Sequence, residues 1–256
     1  VVPGEWRTAK NRSLAECRPA TSFTKPLISR DIFLLEITDW LVINVAVKTQ
    51  RWNRRKDERA PEILEAALAC FAQKGFAATR MDDIAARAGI TKGTIYLYFD
   101  SKEAVFKALA RQSIGARIDA LVEQVKASEA PSAELLRLIL STMGQFASTS
   151  DRVVLPRVLL SEAGNFPELA EFWRREIIDR GLGLFETVIA RGVARGELRD
   201  VPPHHVARLC VAPILIMIFW RTIFGKFDAV PYDYDGLVQT HVDTLLRGLA
   251  VDGAKP

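Results

Sequence analysis

RMDDIAARAGITKGTIYLYF, residues Arg80–Phe99, is the stretch that decides the fold. It reads as two short helices joined at Gly89-Ile90. Ile84, Ala85 and Ala88 form the inner face of the first, and their small size lets two helices cross closely. Gly89 is the expected stop, because it accepts the positive φ of a helix C-cap. Thr91 can cap the second helix, and Ile95 and Phe99 lie four apart, facing the core. Thr91, Lys92, Thr94, Tyr96 and Tyr98 then fall on exposed or edge positions. Gly93, on the outer face, removes a side chain where the backbone would approach a duplex. Hydroxyls and an ammonium at a helix N-terminus can bond phosphates or base edges, and the helix dipole favours phosphate there. The pattern suits a helix laid in the major groove of DNA.

The flanking residues complete a small helical unit. Ile63, Ala67 and Phe71 recur at helical spacing from about Asp57 onward, and Lys74-Gly75 ends that run with a cation and then a glycine. Phe76 is expected to pack back on the same core. Thr79 reads as the start of the next helix, with Asp82 three residues on as a version of the capping box. Asp100-Ser101-Lys102-Glu103 starts a fourth helix whose apolar face is Val105, Phe106 and Leu109. Lys102, in its first turn, is placed for a phosphate.

Composition excludes more than it assigns. The 256 residues are 49% hydrophobic and 26% charged, the balance of a soluble protein. Residues 1–100 hold 16 Lys and Arg against 12 Asp and Glu, which is the whole formal excess of +4. Its densest part, Arg51, Arg54, Arg55, Lys56 and Arg59, suits phosphate contact or a solvated charge run. Cys17, Cys70 and Cys210 are scattered without a CxxC pair, as expected of reduced thiols in a cytoplasmic protein. His204, His205 and His241 have no metal-ligand spacing, so neither metal nor cofactor is expected. No GxSxG, P-loop or GxGxxG occurs, and the chain does not read as an enzyme. Ile32–Val47 and Leu209–Trp220 both fall short of the roughly 20 apolar residues a bilayer requires, so no membrane span is expected. Residues 1–50 read as a disordered extension, of the kind a misplaced start would add, since no methionine precedes Met81. Within it, Ile32–Val47 fits a short strand or a short helix.

Four motifs carry a family resemblance: AxxxFxxKGF over Ala67–Phe76, TxxxDIAxxAG over Thr79–Gly89, KGTIYxYF over Lys92–Phe99, and SKE over Ser101–Glu103. From Arg59 to Leu109 the chain resembles the DNA-binding domain of TetR-family regulators. The resemblance implies that Thr79, Arg80, Tyr98 and Lys102 serve phosphates. It also implies that Thr91, Lys92, Gly93, Thr94 and Tyr96 line the recognition helix. One departure is the stretch of over fifty residues before the first helix, where the family starts close to it.

Beyond residue 110 the pattern is wholly helical. Expected helices cover Gly115–Ala127, the run of Leu135, Leu138, Ile139, Thr142 and Phe146, and Val153–Ala163. Gly164–Pro167 is a turn, followed by a long helix from Pro167 to near Gly192 and two last helices, Pro203–Phe227 and about Tyr234–Leu249. SEAGNFPELAEFW (Ser161–Trp173) and ARGVARGELR (Ala190–Arg199) resemble the regulatory domain of AcrR- and AefR-like members. The expected fold is all-α: an extension over 1–50, a helix-turn-helix DNA-binding domain over 51–105, and a helical effector-binding and dimerisation domain over 106–256. The helix from Pro203 is apolar nearly all round, so it needs partners on several sides. The resemblance implies that it and its successor pair with their counterparts in a homodimer. Phe146, Phe172, Trp173, Phe185, Met217 and Trp220 are candidates to line a cavity for a small apolar or aromatic effector. The implied action is a ligand-responsive repressor released from a palindromic operator in double-stranded DNA. The alternatives are a ligand-insensitive DNA-binding or interaction module, and a helical enzyme using the same cavity.

Overall fold

The computed structural model describes residues 59–251. The readings made on residues 1–58 (the extension, Ile32–Val47, Cys17 and the basic residues up to Lys56) lie outside the described residues. Those described form eleven α-helices and no strand, with a single antiparallel bridge between Leu198 and Ala250. The helices are α1 (59–74), α2 (Met81–Arg87), α3 (Lys92–Ile95), α4 (Lys102–Ala110), α5 (Ala116–Ala127) and α6 (Ser132–Thr149). They continue as α7 (Val154–Glu162), α8 (Pro167–Trp173), α9 (Asp179–Ala194), α10 (Pro203–Phe219) and α11 (Tyr234–Leu249).

Two joints between these helices are π turns instead of loops. Arg111–Gly115 carries α4 directly into α5, and Arg174–Ile178 carries α8 into α9. The expected domain boundary at residue 105 therefore falls inside a continuous helical rod. The two π turns are tied together where Arg111 donates to both carboxylate oxygens of Glu176, at 2.7 and 2.5 Å.

Two hydrophobic cores result. The first takes Ile63, Ala67 and Phe71 from α1, Ile84 from α2, Ile95 from α3 and Phe106 from α4. It also takes Leu155 and Val158 from α7 and Leu169, Phe172 and Trp173 from α8, so the regulatory half supplies part of it. Phe76 is its hub, with ring centroids 5.3 Å from Phe71, 5.7 Å from Phe106 and 5.1 Å from Phe166. The second core joins Leu121, Leu136, Leu140, Phe185, Ile189, Cys210, Met217 and Val242 from α5, α6, α9, α10 and α11. Here α6 and α11 cross so closely that a Cβ at Gly144 would lie 2.5 Å from Val238 Cγ1. Burial pushes the Cys210 thiol in this core up to about 12.

Helix α10 continues through Trp220–Phe227, giving a helix of 25 residues with an 18-residue window of mean hydropathy 1.8. These are the bounds expected for this helix, and they reach beyond its dozen-residue apolar stretch, Leu209–Trp220. By length and composition it is one helix among the described residues that could cross a membrane. One face, with Val206, Cys210, Ile214 and Met217, is buried on this chain's own α6 and α9. The other is not: Leu209 is 60% and Ile216 63% exposed, and Leu215, Trp220 and Ile223 join them. Pro213 supplies no N–H to this helix, and close by His241 of α11 makes a 3.0 Å hydrogen bond to the Cys210 carbonyl.

Candidate nucleic-acid interface and effector region

Helices α2 and α3 form the expected pair. Gly89 adopts φ +66, and the Ile90 N–H reaches back to the Ala85 carbonyl at 3.0 Å, closing α2 in the manner of a glycine C-cap. Thr91 caps α3 as expected, its hydroxyl accepting from the Thr94 N–H at 3.2 Å. Ile95 is fully buried beneath, which turns Thr91, Lys92, Gly93 and Tyr96 outward. Thr94 is half-buried, its hydroxyl 2.8 Å from that of Thr91. Tyr98 and Phe99 are half-buried against the first core.

Three details separate the outward residues. Nothing lies within 4 Å of where a Cβ at Gly93 would sit, so the chain itself gives no reason for glycine there. Lys92 is exposed and pairs with Asp82 at 2.9 Å, and that partner raises its pKa. An exposed pair of this kind contributes little to stability and can be exchanged for a phosphate. Arg80 is exposed and serves as the N-cap residue of α2.

The start of α2 corrects the sequence reading. Thr79 is 1% exposed, and its hydroxyl donates to the Gly75 carbonyl at 2.6 Å. It neither caps α2 nor presents its hydroxyl to a phosphate, because closing the α1–α2 loop consumes it. The cap sits one residue later: the Arg80 N–H donates to Asp83 Oδ2 at 2.9 Å. A hydrogen bond from Lys74 and the one from the Arg80 backbone hold the Asp83 carboxyl below its usual range.

Lys102 also points elsewhere than expected. Its ammonium donates to the carbonyls of Phe76 and Ala77 at 3.0 Å each and lies 3.4 Å from that of Thr79. It sits over the Phe76 ring, 4.6 Å from the centroid, with Phe166 on the α7–α8 turn 5.4 Å away. On the same loop, the Ala77 N–H donates to Glu162, a carboxylate only 9% exposed at the end of α7. Sequence reasoning marked the turn after Glu162 but attached no role to this carboxylate, since nothing local signals its burial. Arg152 was missed in the same way: it bridges Ser113 of the first π turn, at 3.0 Å, and Glu65 of α1.

The six candidate effector residues are not brought together. Phe172 and Trp173 belong to the first core, where Trp173 lies 6.0 Å from Phe106. Phe185 and Met217 are buried in the second. Phe146 is half-buried on its edge, under the Arg117 guanidinium at 5.1 Å. Trp220 is on the surface, its indole N–H donating to Asp228 at 2.9 Å. The helical period could not say which of two cores, or the surface, each of these side chains meets. His204 and His205 are exposed at the start of α10, and among the described residues no group of three His, Cys, Asp or Glu is arranged to hold a metal.

An all-helical chain with a glycine-turned α2–α3 pair and an exposed, capped α3 defines the class of helix-turn-helix DNA-binding proteins. Comparison with known proteins narrows it. Residues 63–109 match the family model for bacterial regulatory proteins of the tetR family, and residues 130–226 match a tetracyclin repressor-like C-terminal domain. The HTH-type transcriptional regulator RutR of Escherichia coli (strain K12) is 31% identical over 190 residues, 73% of this chain and 82% of RutR. The fatty acid metabolism regulator protein of Bacillus subtilis (strain 168) is 25% identical over 205 residues, 77% of this chain and 98% of that protein. The structure of Bacillus subtilis FadR in complex with stearoyl-CoA superposes with a TM-score of 0.62 at 24% identity, covering 73% of this chain and 98% of FadR. The chain belongs to the TetR family of transcriptional regulators.

Proposed function

We propose that this regulator is a cytoplasmic, ligand-responsive repressor that binds a palindromic operator as a homodimer. Its DNA-binding unit extends over residues 51–105 and its effector and dimerisation part over 106–256. The observation that carries the reading is the outer surface of α3: Thr91, Lys92 and Tyr96 exposed around a glycine that nothing inside the chain requires. Lys92 and Arg80 supply charge for phosphates, and Thr91, Thr94 and Tyr96 supply groups for base edges or the backbone. The exposed apolar face of α10 is the dimer contact, with α11 beside it. Two copies of α3 then fall on half-sites about one helical turn apart.

The effector is a small apolar or aromatic compound. The stearoyl-CoA bound by Bacillus subtilis FadR supports an apolar class. Binding shifts the population toward a dimer whose recognition helices no longer match both half-sites, which requires different affinities for the two conformations. The experiment is a titration of the protein–operator complex, on DNA selected from the genome, with stearoyl-CoA and with a panel of aromatic compounds. Release by one class and not by matched polar compounds is expected. Occupancy unchanged across both panels favours the second reading, a ligand-insensitive DNA-binding module. The division of the six candidate residues between two packed cores and the surface speaks for that reading.

A further inference from the structure

Helix α7 runs alongside α1 and engages it at two steps, and the loop after it at a third. Arg152, just before α7, meets Glu65; Arg157, within it, donates to the Ala72 carbonyl at 3.5 Å; Glu162, at its end, accepts from the Ala77 N–H at 3.3 Å. Partners at each step are 85 to 87 residues apart, so the two helices keep one parallel register. The last step reaches past α1 into the loop that follows it. It joins a buried carboxylate, also bonded by Asn165 at 3.2 Å, to the one loop that sets where α2 begins.

Lys102 closes on the same loop. Its ammonium takes the carbonyls of residues 76, 77 and 79 while Glu162 takes the N–H of residue 77. A cation on carbonyls and an anion on an amide grip the peptide units by their own dipoles, and charge-assisted hydrogen bonds of this type are the stronger kind. The Phe76 and Phe166 rings stack edge to face between them, 5.1 Å apart. An ammonium spent on three carbonyls and covered by two aromatic faces is oriented into the protein, away from the exposed face of α3.

We propose that Lys102 and Glu162 are a positioning pair that fixes the α1–α2 loop, and through it the helix-turn-helix, to the α7–α8 turn. Lys102 contributes to operator binding by holding α2 in place, not as a phosphate ligand. This rests on the reading of α2 and α3 as the DNA-contacting unit.

The test compares the parent protein with Lys102→Met, Glu162→Ala and Glu162→Gln, on the selected operator and on a random-sequence duplex, across a salt series. Glu162 is an anion and cannot serve a phosphate, so a shared phenotype separates positioning from charge neutralisation. Lys102→Met and Glu162→Ala should each weaken operator binding by about tenfold. Neither should change the slope of log affinity against log salt or the affinity for the random duplex. Glu162→Gln, whose amide oxygen still accepts from Ala77, should restore operator binding. Amide hydrogen exchange on the free proteins, which needs no DNA, should show residues 76–80 losing protection in the first two variants and keeping it in Glu162→Gln. A slope flattened by about 0.9 on both duplexes in Lys102→Met, with Glu162→Ala binding like the parent, would make Lys102 a phosphate ligand and overturn the proposal. Unchanged exchange in every variant would overturn it even if the parent bound no DNA, an outcome that would separately defeat the reading of α2 and α3.

Discussion

Gly93 is where the needs of the fold and of DNA contact come apart. A helix interior prefers alanine to glycine by about 1 kcal/mol, and a Cβ here meets open space. Gly93→Ala should therefore raise unfolding stability slightly, by thermal or denaturant melts, while lowering operator affinity. Equal or tighter DNA binding would mean that the outer face of α3 is not the contact surface. Asp82 makes a complementary case, since it holds Lys92 and places a negative charge beside α3. Asp82→Asn should tighten binding to any duplex by a few-fold and steepen its salt dependence. Asp83 acts on stability instead. Its folded pKa is depressed below 3.8, so its contribution is complete above that value and is lost as pH falls through the folded pKa. Acid titration followed by amide exchange should show the first turn of α2 loosening in that window, and Asp83→Asn should remove the dependence. At this scale the sequence was only partly legible. The spacing of Thr79 and Asp82 located the start of α2 but not its register, because burial of Thr79 moved the cap to Arg80.

Helix positions were legible because apolar residues three and four apart, ended by Gly75, Gly89 or proline, leave little choice of element. What a helix face meets was not, because that is decided by residues far away in the chain. The α8 face with Phe172 and Trp173 could have lined an effector cavity; it completes the core under α1 and α4 instead. The close crossing of α6 and α11 was equally hidden, although it depends on one glycine. Gly144→Ala should destabilise the fold by about 1–3 kcal/mol, since its methyl would enter the space of the buried Val238 side chain. In the double variant with Val238→Ala the two costs should be less than additive in denaturant melts. Strict additivity would show that the helices do not cross as tightly as described.

At the scale of the molecule, one long apolar helix has a buried face and a bare one. The buried face, set on α6 and α9, identifies α10 as part of this chain's own core, and the bare face is the surface a second copy would cover. Ile216→Asp changes a side chain already 63% exposed, so the monomer should keep its helical content and melting behaviour. Sedimentation should nonetheless show a shift from dimer to monomer, with loss of operator affinity, because one α3 alone engages only half of a symmetric site. A variant that stays dimeric would place the interface elsewhere. The most direct measurement is selection of bound fragments from genomic DNA followed by footprinting of the recovered site. The expected footprint is two-fold symmetric, with protected half-sites centred about one helical turn apart and binding that survives physiological salt. Binding that disappears with salt and leaves no protected sequence would contradict the operator-binding role of the α2–α3 unit.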